Sequence, residues 1–165
     1  MKSELHQCGF LSVRHLLAEF GYQDADLFYD ENGKPHLKDN KYISITHSFM
    51  FSAVVVSDGI VGIDIEKQRD KIAIIAHKFV EYELHYLAET DTEYIKKLTI
   101  IWCIKESLYK LFAMPGLSFK AHCLVIPFSM VDESTMAWID HKGTKCGYHI
   151  NFLEFEGFTC AYALA

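Results

Sequence analysis

Two stretches constrain this chain more than any others: VGIDIE at residues 61–66 and IWCIKESLYK at residues 101–110. Read as a strand, the first puts Val61, Ile63 and Ile65 on one face and Gly62, Asp64 and Glu66 on the other. Two carboxylates therefore point the same way. Read as a helix, the second stacks Trp102, Glu106 and Lys110 at four-residue intervals, so an acid and a cation sit one turn apart. Each piece alone has a plain explanation. D-x-E fits a solvated strand face, and K-E-x-x-x-K fits a surface salt-bridge pattern. Together they point elsewhere, because Asp64 and Glu66 on one face repel unless solvated or bound to a cation, and Glu106 on a packing helix sharpens that need. Three oxygen donors suit a divalent ion that keeps some water and completes its shell with substrate phosphate.

The chain of 165 residues is 50% hydrophobic, enough for a real core, with 12 Phe and 9 Tyr against 3 Pro and 9 Gly. One ordinary globular domain is expected over residues 1–165. No apolar stretch approaches the ~20 residues of a membrane helix, and the N-terminus lacks the apolar core of a signal peptide, so a cytoplasmic location is expected. The five cysteines, Cys8, Cys103, Cys123, Cys146 and Cys160, include no C-x-x-C pair and read as reduced small hydrophobes. A net charge of −6 argues against nucleic-acid binding, which needs a basic footprint. It leaves room for an anionic ligand held by local basic groups at Lys34, Lys38, Lys41 and His47.

Taken in order, residues 3–20 space Leu5, Val13, Leu16, Leu17 and Phe20 as an amphipathic helix, with Ser3 as N-cap and Gly21 as stop. Residues 30–40 are polar and turn-rich and read as a loop. Residues 41–48 and 51–57 read as strands, and Asp58-Gly59 predicts a hairpin into 61–66, making a three-strand meander. Residues 69–88 predict two short helices with Ile72, Ile75, Phe79, Leu84 and Leu87 inward. A longer helix runs from about Thr92 to Ala113, where Pro115-Gly116 ends it. Trp102 on that helix reads as core, and Lys105, about 100° round from Glu106, as a surface cation or a phosphate contact. Four strands follow, over 117–128, 135–140, 145–155 and 158–165. The order predicts an α+β fold of two similar halves, about 1–68 and 69–165, with the acidic site between them.

The elements GKPHL (33–37), SITHS (44–48), VGIDIE, KFVEYEL (78–84), WCIKESLYKLF (102–112) and LSFK (117–120) resemble, in order and distance, the 4′-phosphopantetheinyl transferase superfamily. Because the first two precede the G-I-D-I-E strand, the resemblance is to the larger, pseudo-twofold surfactin-type members. It implies Mg²⁺-dependent transfer of the phosphopantetheine arm of coenzyme A to a serine of an acyl or peptidyl carrier protein, releasing 3′,5′-ADP. Asp64, Glu66 and Glu106 would bind Mg²⁺, with Glu106 as ligand, base or both. Lys110 would stabilise charge on the attacked phosphate or the leaving oxygen. His47, Thr46, Lys34 and Pro35 would hold the nucleotide end, joined by Lys105 and, more weakly, by Glu83.

Against the family pattern the N-terminal half is short, since QCGFLSVRHLLAEFG (7–21) already matches the family's R-x-L-L helix, and Thr46 stands where serine is usual. A monomer is expected, or a dimer paired through an exposed strand edge. Two other functions fit the residues: a weak or inactive coenzyme A-binding relative, and another metal-dependent phosphoryl-transfer enzyme that needs no carrier.

Overall fold

The structure, a computed structural model, describes residues 4–113 and 116–165. Ser3, Pro115 and the side chain of Leu5 lie outside the described residues. Helix α1 (Glu4–Glu19) buries Val13 and Leu17 against Leu27, Leu37 and Ile43, while Phe20 is exposed. Gly21 ends it with φ +86°, and the Tyr22 N–H reaches back to the Leu17 carbonyl at 3.0 Å. The expected loop over 30–40 is instead the tip and return strand of a small hairpin, β1 (Leu27–Tyr29) with β2 (Pro35–Leu37). Pro35 opens β2, where a missing N–H costs no ladder bond. The Asp30 carboxylate shapes the tip by accepting the N–H groups of Asn32 and Lys34, both at 2.9 Å.

Strands β3 (Tyr42–Ser48) and β4 (Phe51–Ser57) pair antiparallel along their whole length. The predicted third strand of that meander goes elsewhere. Strand β5 (Val61–Lys67) pairs with β9 (Phe158–Leu164), and β3 meets it through side chains: the Ile63 and Ile65 N–H groups donate to Ser44 Oγ (3.1 Å) and Thr46 Oγ1 (3.2 Å). Asp58-Gly59 makes no hairpin. Gly59 is needed for close approach, since a Cβ there would lie 2.4 Å from the Ala165 carbonyl oxygen. The outer edge of β4 has no strand partner among the described residues.

The main sheet runs β5–β9–β8–β7–β6, all antiparallel, with β6 at Cys123–Val125, β7 at Ser134–His141 and β8 at Thr144–Phe155. Short α2 (Lys71–Ile75) and single 3₁₀ turns at 76–78 and 82–85 replace two helices, and Leu84 is exposed rather than inward. The long helix α3 (Tyr94–Phe112) lies across β5 and β9, burying Leu98, Ile101, Ile104 and Leu108. It packs tightly on Gly62 of β5, where a Cβ would lie 1.9 Å from the Ser107 carbonyl oxygen. The expected strand over 117–128 is broken by the short helix α4 (Phe119–His122), capped by Ser118, and only Cys123–Val125 extends. Cys103, Cys123 and Cys160 are buried free thiols, in keeping with their reading as small hydrophobes. Among the described residues no helix is long and apolar enough to cross a membrane.

Helix α4 is tied to β7 by two facing imidazoles. The Ser118 N–H donates to His122 Nδ1 at 2.9 Å, and His141 Nδ1 lies 3.1 Å from the same nitrogen. His141 is buried, and burial, then His122 and Lys142, hold its pKa below the usual 6.5. The unfolded chain therefore binds this proton more readily, so stability is full above about pH 6.5 and is lost as pH falls. Melting temperature is expected to drop between pH 7 and 5, and His141→Leu to flatten that slope. Equal slopes in the two proteins would contradict the pairing.

Candidate active site

Strand alternation sends the two faces of β5 to different neighbours. Ile63 and Ile65 pack with Phe158, Cys160 and the β4 residues Phe51, Ala53 and Val55. The opposite face meets α3, and because Gly62 lets the helix close in, Asp64 comes within reach of Lys110. Lys110 Nζ lies 2.8 Å from Asp64 Oδ1 and 2.9 Å from the Ile63 carbonyl. Thr46 Oγ1 donates to the same Asp64 oxygen at 3.1 Å. The other oxygen, Oδ2, is buried without a hydrogen-bond partner.

The electrostatics show an acidic cluster. Burial raises the pKa of Asp64, against the attraction and hydrogen bond of Lys110 and the hydrogen bond from Thr46. Burial and then repulsion from Asp64 raise Glu66, with the Trp102 side chain, Arg69 and Lys110 acting in the opposite direction. Glu106 is pushed up to about 7 by burial, then by Asp64 and Glu66, with Lys110 opposing. Asp64, Glu66 and Glu106 thus share one field, as expected from β5 and α3. They do not stand as a closed ligand set: among the described residues no three His, Cys, Asp or Glu side chains are grouped to hold a metal ion. The donor chemistry nonetheless fits Mg²⁺. The groups are hard oxygens that repel one another, and the orphaned Asp64 Oδ2 is a buried acceptor needing a partner.

Beside this cluster opens a cleft of about 440 Å³, walled by Lys34, Pro35, Ser44, Tyr109 and Lys110. The structure therefore brings Lys34 and Pro35, on the β1–β2 hairpin, to the same cavity as Lys110. His47 is not among the lining residues of that cavity and lies two residues along β3 from Ile45, which is, roughly 7 Å at the rise of a strand. Its ring is exposed and faces Gly9 of α1, where a Cβ would lie 3.7 Å away.

Three of the residues expected at the ligand are buried. Lys105 is fully buried, with Nζ 2.8 Å from the equally buried Glu83 carboxylate, so it is not a surface cation. Thr46 is buried, its hydroxyl donating to Asp64 and accepting from the Ile65 N–H. That hydroxyl is thus engaged by a carboxylate and by the strand backbone. Trp102, read as core, is only partly buried and lines a small groove with Glu66, Lys67 and Arg69. Its place on the stripe of Glu106 was the available signal. Ser44 and Tyr109 were missed, although alternation puts Ser44 on the same face of β3 as Thr46.

A protein-family model described as the 4′-phosphopantetheinyl transferase superfamily matches residues 60–163, and the chain belongs to that superfamily. Membership implies phosphopantetheine transfer in general. The matched span takes in Asp64, Glu66, Glu106 and Lys110 and begins after Lys34, Pro35, Thr46 and His47. No curated protein matches the chain.

Proposed function

We propose that this chain transfers the 4′-phosphopantetheine group of coenzyme A to a serine of an acyl or peptidyl carrier protein in the cytoplasm, as surfactin-type members do, and releases 3′,5′-ADP. The observation that carries this reading is the meeting of Asp64, Glu66, Glu106 and Lys110 at the side of a cleft walled by Lys34 and Pro35. Asp64, Glu66 and Glu106 would hold Mg²⁺, whose chemistry when bound is to neutralise charge growing on the pyrophosphate oxygens. Glu106, with a pKa near neutrality, takes the serine proton directly or through water. The serine oxygen bonds to phosphorus, and the bond to the bridging oxygen breaks. Lys110, on the rim shared by cleft and carboxylates, offsets charge on the attacked phosphate or the departing ADP oxygen. Lys34 and Pro35 hold the nucleotide end, and His47 stands within the span of a nucleotide along β3.

A second reading, a coenzyme A-binding relative with little transfer, is favoured by one observation: Asp64 Oδ1 is already satisfied by Lys110 and Thr46. Calorimetric titration with coenzyme A, with and without Mg²⁺, tests the binding that both readings need. Mg²⁺-dependent binding that Lys34→Ala weakens is expected. No binding under either condition would overturn both.

A further inference from the structure

Lys105 and Glu83 form a fully buried ion pair in which every charged atom is engaged. The three ammonium protons of Lys105 go to Glu83 Oε1 (2.8 Å), the Phe79 carbonyl (2.6 Å) and the Phe119 carbonyl (3.2 Å). Glu83 Oε1 also accepts the Val125 N–H at 2.9 Å, and Oε2 accepts the Glu81 N–H at 3.3 Å. One pair thus ties α3 to the 79–83 segment, α4 and β6.

A buried pair of this kind is a poor source of stability. Desolvating both ions largely cancels their attraction, and apolar residues of similar volume often serve as well. What the pair holds is more telling. The two carbonyls that Lys105 grips belong to Phe79 and Phe119, and the rings of those residues stand edge-on to Trp102, at 5.0 and 5.5 Å between centroids. Phe119 also meets Tyr109 at 5.9 Å. Trp102 lies one turn before Glu106 and shares a groove with Glu66. The two aromatic neighbours of Glu106 on α3 are therefore braced by rings whose backbone the pair anchors.

We infer that Lys105 and Glu83 are positioning residues: together they clamp Phe79 and Phe119 about Trp102 and so set the wall against which Glu66 and Glu106 work. This rests on the transfer reading above. It assigns Lys105 a role in the reaction without contact to coenzyme A.

The test compares wild type with Lys105→Met alone and with the double variant Lys105→Met/Glu83→Leu, each also in a Trp138→Phe background so that Trp102 is the sole tryptophan. Lys105→Met leaves a buried unpaired carboxylate, and its melting temperature is expected to fall by roughly 10 °C. A fall of no more than about 2 °C would mean that the pair is not closed as described, and would overturn the inference. The double variant should melt within about 5 °C of wild type. Its kcat for transfer to an apo carrier protein should nevertheless fall at least about tenfold, with the coenzyme A dissociation constant within about twofold and Trp102 emission shifted to the red. A folded double variant with wild-type kcat, with unchanged Trp102 emission, or with a parallel loss of coenzyme A binding would overturn the inference. Should the double variant not fold, the isosteric Glu83→Gln is read by the same kcat and emission criteria. If wild type transfers nothing, the functional reading fails, and Trp102 emission alone decides whether the pair holds the wall.

Discussion

Glu106→Ala is expected to lower transfer by roughly 10²–10⁴-fold, the range for losing a general base, while leaving the fold intact. Glu106 is carried by α3, faces Asp64 and Glu66, and holds its proton to about pH 7 because burial and two neighbouring acids disfavour the charge. The same shift gives the stability change a sign. A carboxyl whose folded-state pKa is raised binds its proton more tightly in the folded chain, so the stability it contributes is full below pH 4.5 and is lost as pH rises through about 7. In chelated buffer at pH 8, Glu106→Gln should therefore melt no lower than wild type while transferring far less. Activity lost with stability kept is the mark of a residue retained for function. Assays of transfer beside thermal melts of both variants check this, and a variant that transfers normally would remove Glu106 from the mechanism.

Gly62→Ala is expected to damage both properties. The added Cβ would lie 1.9 Å from the Ser107 carbonyl oxygen, 2.8 Å from its carbon and 3.1 Å from Leu111 Cβ. Two of those atoms are helix backbone, which cannot swing aside. Helix α3 must lift from β5, at a cost of about 3 kcal/mol, the upper end for overpacking, or roughly 6–12 °C in melting temperature for a chain of this size. The lift also carries Lys110 away from Asp64 and disturbs Ser107, whose hydroxyl donates to the Ala161 carbonyl on β9 at 2.8 Å. Transfer should fall with stability, in contrast to Glu106→Gln. A Gly62→Ala protein with wild-type melting and activity would show that α3 does not ride on β5 as described.

Much of the site was legible because it depends on local periodicity. The alternation of 61–66 correctly separated Ile63 and Ile65 from Asp64 and Glu66, and four-residue spacing on α3 placed Glu106 and Lys110 on one stripe. The superfamily was readable from the order of short motifs. What local pattern could not supply was the partner of each element. Ile65 pairs with Cys160, far along the chain, and Asp58-Gly59 advertised a hairpin that this distant pairing overrides. Charge was a poor guide to exposure for the same reason. Lys105 and Glu106 are consecutive, yet the 100° between them sends one into the core toward Glu83 and the other to the carboxylate cluster. Thr46 and His47 likewise fall on opposite sides of β3, so one hydroxyl steadies Asp64 while the imidazole beside it stays exposed.

Transfer of phosphopantetheine is read out by incubating the purified protein with coenzyme A, Mg²⁺ and a panel of apo acyl and peptidyl carrier proteins. Intact mass spectrometry then looks for the phosphopantetheine adduct on the carrier. An adduct that requires both Mg²⁺ and Glu106 is expected. Wild-type protein that binds coenzyme A with Mg²⁺ yet leaves every carrier unmodified would contradict the transfer claim and favour the coenzyme A-binding relative instead.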